Sequence, residues 1–169
     1  MTKGTKIFRI TISVLLALTM IISVLFLCAF FLNYAREPFG IYVAGTAVKR
    51  ENYEDILGNN ILTFNNATIE YENTVVYSVN ELHIQLIGEN KFICTNKDYA
   101  IGIFAGNNHL FKDLAIIGDG SLTIELPNTS DEAVGIAADN LTVTTNLTVT
   151  TSDCENKVNG IVCASDLIV

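Results

Sequence analysis

Residues Asn140 to Thr151 read NLTVTTNLTVTT, one hexapeptide written twice without a spacer. Each copy alternates Leu and Val with threonine, the period-two pattern of a strand with one buried face. Two arrangements can follow. A hairpin turning at Thr144 to Asn146 would pair the copies antiparallel. In the other, the copies are successive walls of one solenoid turn, and the pattern must then recur along the chain at a fixed spacing.

It does recur. Leu-x-Ile/Val stands at Leu82-His83-Ile84, Leu114-Ala115-Ile116, Leu141-Thr142-Val143 and Leu167-Ile168-Val169. Before the last three of these comes a Gly-Ile step, at Gly102-Ile103, Gly135-Ile136 and Gly160-Ile161, and before the first an earlier variant, Val75-Val76. A third apolar triplet follows in three copies, as Phe92-Ile93-Cys94, Leu122-Thr123-Ile124 and Leu147-Thr148-Val149. The equivalent leucines are 32, 27 and 26 residues apart (82 to 114, 141 and 167), within the ~20–50-residue periods of repeat architectures. The link between second and third triplets shortens from ten residues (82 to 92) to eight (114 to 122) to six (141 to 147).

A hairpin explains one repeat and the solenoid explains all of them. The expected fold is therefore all-β, a right-handed parallel β-helix of three-strand rungs over residues 61–169. Leu82, Leu114, Leu141 and Leu167 form one interior column, and Ile84, Ile116, Val143 and Val169 another. The chain stops in the second strand of a rung, so the expectation includes a truncated, incomplete C-terminal end that further rungs or a capping partner would cover. An Asn or Asp precedes the leucine at Asp113, Asn140, Asn146 and Asp166, where its side chain is expected to bond the local backbone and tighten the turn.

The first third is different material. Ile10 to Leu32 is an uncharged run, ITISVLLALTMIISVLFLCAFFL, and at ~1.5 Å rise per residue it spans a ~30 Å hydrocarbon layer. A cleavable signal peptide would have a shorter apolar run ending in an A-x-A type site. A lipid anchor on Cys28 would follow a small residue, whereas Leu25-Phe26-Leu27 precede it. Lys3, Lys6 and Arg9 lie before the run, which by the positive-inside rule places the N-terminus in the cytoplasm. The expected organisation is a cytoplasmic tail over 1–9, a transmembrane signal anchor over 10–34, a small N-terminal cap over 37–60 and the β-helix beyond. The protein is thus expected in the cell membrane, single-pass, with its domain extracellular. Within the cap, Gly45 marks a turn between two short strands, and Glu51 to Leu57 reads as a helical turn ended by Gly58.

Charge narrows the partners. From Glu37 onward there are six Lys or Arg against eighteen Asp or Glu, a net charge of −12. Such a surface repels nucleic acid and anionic lipid. Cys94, Cys154 and Cys163 give no metal-ligand spacing; Cys94 and Cys163 read as buried small residues, and a Cys154 to Cys163 bridge stays open. His83 lies between two inward residues and so faces outward, and neither it nor His109 has triad or metal-site neighbours. Ser121 follows Gly118-Asp119-Gly120, a turn entering a strand and not the G-x-S-x-G elbow. A polysaccharide-cleaving site would need Asp98, Lys97, Asp113 and Lys112 to fold together; the chain is therefore expected to be no enzyme. Tyr53, Tyr71, Tyr77, Tyr99 and Phe104 are the aromatic candidates for stacking on sugar rings, with core or cap packing as the competing role. The outward threonines Thr123, Thr142, Thr144, Thr148 and Thr150 form the remaining candidate, an array of hydroxyls along which an extended glycan could lie. Threonine also simply suits an exposed strand position, and the other reading is a structural or adhesive stalk without a glycan ligand. The sequons at Asn66, Asn128, Asn140 and Asn146 matter only in a glycosylating host.

The runs IYVAGTAVKRENYEDILGNNILTFNNATI, ELHIQLIGENKF, GDGSLTIEL and GIAADNLTV, taken in that order, resemble the carbohydrate-binding-domain-containing surface proteins of clostridia and related gut Firmicutes. The resemblance covers Ile41 to Val169. It implies an extracellular parallel β-helix that binds polysaccharide, in at least one branch acidic plant polysaccharide with calcium, and it implies no catalytic activity; no cofactor other than calcium is expected.

Overall fold

The computed structural model describes residues 19–28, 40–48, 61–107, 110–128, 132–151 and 157–169. The helical turn expected over 51–57 lies outside these residues, as do Tyr53, His109 and Cys154. Residues 19–28 are helical. Among the described residues no helix is long and apolar enough to cross a membrane, and the rest of the 10–34 segment is outside them.

The remainder is strand and turn. β1 (Ile41–Val43), β2 (Thr46–Ala47), β3 (Ile61–Asn65), β4 (Thr68–Tyr71), β5 (Val76–Ser78), β6 (Leu82–Ile87), β7 (Glu89–Cys94) and β8 (Tyr99–Asn107) come first. β9 (Leu110–Phe111), β10 (Leu114–Gly118), β11 (Ser121–Leu126), β12 (Glu132–Ala138), β13 (Leu141–Val143), β14 (Asn146–Thr151), β15 (Lys157–Cys163) and β16 (Leu167–Ile168) complete the chain. They form three sheets, in the orders β15-β12-β8-β5-β1-β2, β16-β13-β10-β6-β3 and β14-β11-β7-β4, called the first, second and third below. From β3 onward, the short β9 aside, the chain visits the second, third and first sheets in strict rotation. Every pairing made in that rotation is parallel. The exceptions are local: β1 pairs antiparallel with β2 and β5, and β9 with β8. Ala44 and Gly45 both have positive φ, 47° and 72°, as a two-residue hairpin turn with the twist of its strands requires.

NLTVTTNLTVTT is not a hairpin. Its first copy, β13, sits in the second sheet and its second copy, β14, in the third. Leu82, Leu114 and Leu141 are aligned in register, as are Ile84, Ile116 and Val143, and all six are buried. Each such side chain is worth ~1.5–3 kcal/mol of apolar burial. Leu167 continues the register against Leu141, but it is 49% exposed and Val169 is 90% exposed. The two residues expected to extend the interior columns are thus exposed, unlike the six before them.

The third triplet needs a correction. Phe92 aligns with Ile124, not with Leu122, whose partner is Asn90. The link from the second-sheet column to the third is thus eight residues in the first turn (82 to 90), equal to the next (114 to 122). Asn90 is buried, and its amide satisfies several backbone groups at once. Oδ1 accepts from Ala67 N at 2.9 Å, while Nδ2 donates to the carbonyls of Ile87, Gly88 and Ser121 at 3.2–3.3 Å.

Glycines set how closely the first sheet approaches its neighbours. A Cβ on Gly102 would lie 2.5 Å from both the Gly135 carbonyl oxygen and Ile124 Cγ2. One on Gly135 would lie against the Gly160 oxygen and 2.7 Å from Val149 Cγ1, whereas one on Gly160 would meet nothing within 4 Å. Past Gly102 the alternation of faces slips. Ala100, Ile103 and Ala105 join the main core, while Ile101 and Phe104 belong to a second small cluster with Val134, Ala137 and Val162.

Candidate functional site

Strand alternation gives the third sheet one apolar and one polar face. Phe92, Leu122 and Ile124 are buried in the core, so the residues between them point outward. In register these are Glu89, Ser121 and Asn146; then Thr68, Lys91, Thr123 and Thr148; then Glu70, Ile93, Glu125 and Thr150. Across this face Lys91 Nζ lies 2.7 Å from Glu125 Oε1. With both side chains about 40% exposed, such a pair is worth at most ~1 kcal/mol and orients the two groups more than it stabilises them.

The threonines do not form one array. Thr123 and Thr148 are register partners on the third sheet. Thr142 lies in the second sheet beside Ala115, which in turn pairs with His83. Thr144 follows β13 at the corner, donating its backbone N–H to Ile116 O at 3.0 Å. It lines an open cleft of about 400 Å³ with Gly118, Asp119, Gly120, Val143, Thr145, Asn146 and Val169. Thr150 Oγ1 donates to Ile124 O at 3.4 Å. A strand's two-residue period specifies facing within a sheet, while which sheet a strand joins depends on the corners.

A second cleft, of about 340 Å³, is lined by Asn80, Glu81, Phe111, Lys112, Asp113 and Asp139. It brings Lys112 and Asp113 together as a catalytic reading would want, but Lys97 and Asp98 are not among its lining residues. Asp113 is occupied structurally, since its Oδ1 accepts from Asn140 N and Nδ2. Asn140 Oδ1 in turn accepts from Asp166 N, and Ser165 Oγ donates to Asp139 Oδ1 at 2.7 Å. These corner residues therefore tie one turn to the next, in place of the local turn bonds expected of Asp113 and Asn140.

Among the described residues no three His, Cys, Asp or Glu side chains converge as a metal site requires, so the calcium implied by the resemblance finds no acidic ligand set there. His83 faces outward as expected, with Nε2 3.4 Å from Glu81 Oε1. Burial pushes the Cys94 thiol up to about 12 and raises that of Cys163 as well, the reverse of what a nucleophilic cysteine needs. Cys163 is a free thiol in this structure, and Cys154 lies outside the described residues.

Sequence reasoning did not pick out Tyr42. It opposes Tyr77 across β1 and β5, with ring centroids 5.8 Å apart. Tyr77 stacks on Phe104 at 5.7 Å and 26°, and Phe104 meets Phe111 at 5.8 Å. Of the other aromatic candidates, Tyr71 packs against the core and Tyr99 is 46% exposed. The only sequence signal for Tyr42 was its place in the cap hairpin, paired by a register that antiparallel pairing alone creates. Comparison with family models, curated proteins and solved structures yields no match.

Proposed function

We propose that this chain is a single-pass membrane protein with a cytoplasmic N-terminus, whose extracellular part is a right-handed parallel β-helix that binds polysaccharide without cleaving it. The strict rotation of the chain through three sheets by parallel pairings is the connectivity expected of such a helix, and the uncharged run at Ile10 to Leu32 supplies the anchor. The resemblance to clostridial carbohydrate-binding surface proteins supports the same reading. Its carrying observation is the polar face of the third sheet, where Thr123 and Thr148 stand side by side next to the Lys91–Glu125 pair. Hydroxyls, an ammonium and a carboxylate held on a rigid sheet can each exchange hydrogen bonds with sugar hydroxyls.

The test is retention of the full-length chain, in detergent micelles, on insoluble pectate, cellulose and peptidoglycan, with and without a chelator. Retention on one of these, lowered in the Thr123→Val/Thr148→Val double variant, is the expected result. If nothing is retained, a stalk without a glycan ligand takes the place of this reading.

A further inference from the structure

The outer side of the first sheet carries a feature that a polar glycan face does not use. β1 and β5 set Tyr42 and Tyr77 beside one another, 5.8 Å between ring centroids and 33° between ring planes. Both rings are half-buried. They line an open cleft of about 420 Å³ whose other lining residues, among those described, are Gly45, Asn73, Thr74 and Val79. Small-molecule sites occupy ~300–1,000 Å³ and combine apolar walls with a few placed polar groups.

The described lining residues carry no formal charge. Aromatic faces offer a flat apolar surface with a polar rim, suited to the C–H face of a pyranose ring. The groups beside them, a threonine hydroxyl, a carboxamide and two phenols, can both donate and accept, as sugar hydroxyls do. Asn96 Nδ2 donates to Asn73 Oδ1 at 3.2 Å. That bond ties the cleft wall to the following turn and occupies Asn73 Oδ1, not its Nδ2. The ladder also continues, since Tyr77 stacks on its register partner Phe104, so the platform is braced from the side by a ring that packs with Ile101, Val134 and Ala137. The Gly45 turn closes one side, and its positive φ disfavours a side chain that would intrude.

The geometry points to a neutral-sugar subsite at Tyr42 and Tyr77: an uncharged pyranose unit of a polysaccharide stacks there, its hydroxyls bonding Asn73 and Thr74. This rests on the polysaccharide reading and narrows it, because a uronic acid would bring a carboxylate to a cleft with no cation among its described lining residues, on a domain of net charge −12.

The experiment compares full-length wild type with Tyr77→Ala, Tyr77→Phe, Tyr42→Ala and Thr123→Val/Thr148→Val, all in micelles. Each is scored for retention on cellulose, mannan, β-1,3-glucan and polygalacturonate, and its thermal midpoint is measured alongside. Support is retention of wild type on a neutral polymer, a loss of about tenfold in affinity for both alanine variants, and binding preserved in Tyr77→Phe. Tyr77→Phe keeps the ring and the stacking on Phe104, so its behaviour separates loss of the platform from loss of the fold. Retention on polygalacturonate alone, or unchanged neutral-polymer binding by both alanine variants, overturns the subsite while the polysaccharide reading stands. No retention of wild type on any polymer overturns both.

Discussion

Asn90 stands in register with Leu122, a buried amide in the column where the next two turns place Leu122 and Leu147. Its oxygen and nitrogen together serve four backbone groups. Replacing it by leucine would make the column uniform and take the Asn90 Oδ1 acceptor from Ala67 N, while Ile87 O and Gly88 O keep the N–H groups of Asn66 and Ser121. An unmet buried donor or acceptor costs ~1–3 kcal/mol, so Asn90→Leu is expected to lose that much stability in urea denaturation. Equal or greater stability would show that water or a backbone shift replaces the amide.

The glycine column offers a paired comparison. Gly135→Ala forces a methyl against the Gly160 oxygen and Val149, and overpacking of this kind costs ~1–3 kcal/mol. Gly160→Ala meets nothing and is expected to leave the denaturation midpoint unchanged. Equal costs at both positions would mean that neither glycine is set by close approach.

Two leucines of one column should behave differently. Leu114 is 2% exposed and Leu167 is 49% exposed. Truncating a buried leucine costs ~2–5 kcal/mol, whereas Leu167→Ala is expected within ~0.5 kcal/mol of wild type, as for surface positions. Thermal midpoints of the two variants decide the point.

Cys94 ties stability to high pH. Its folded pKa is raised, from 9.0 to about 12, by burial, so the folded state holds the thiol proton more tightly than the unfolded state does. Its contribution is fully present below pH 9.0 and is lost as pH rises toward 12. Urea melts of wild type and Cys94→Ala are expected to converge over that window, since lysine and tyrosine titration is common to both. The same burial predicts slow reaction of Cys94 with a thiol reagent until the protein unfolds.

The leucine columns and the parallel pairing of β6, β10 and β13 were legible because Leu-x-Ile against polar neighbours has one reading on a half-buried strand. The offset at Phe92 was not. Phe92-Ile93-Cys94 copies the letters of Leu122-Thr123-Ile124, and a column counted in apolar residues has no place for Asn90. Its burial depends on partners 23 and 31 residues away, which no local pattern shows. The candidate site divided in the same way. Facing was readable for Thr123 and Thr148, but Thr142 and Thr144 were separated from them by corners. Tyr42 reached Tyr77 only through an antiparallel pairing that breaks the rule of the other turns.

Gly160's empty side is where β14, β15 and β16 form the outermost strands of all three sheets. Among the described residues each of these strands is bonded on one side only, whereas β11, β12 and β13 are paired on both sides, so the edge strands open at lower free energy. Amide protons should exchange fastest in β16 and more slowly through β13 toward β10, a gradient of local opening free energies along the stack where a closed core would give a plateau.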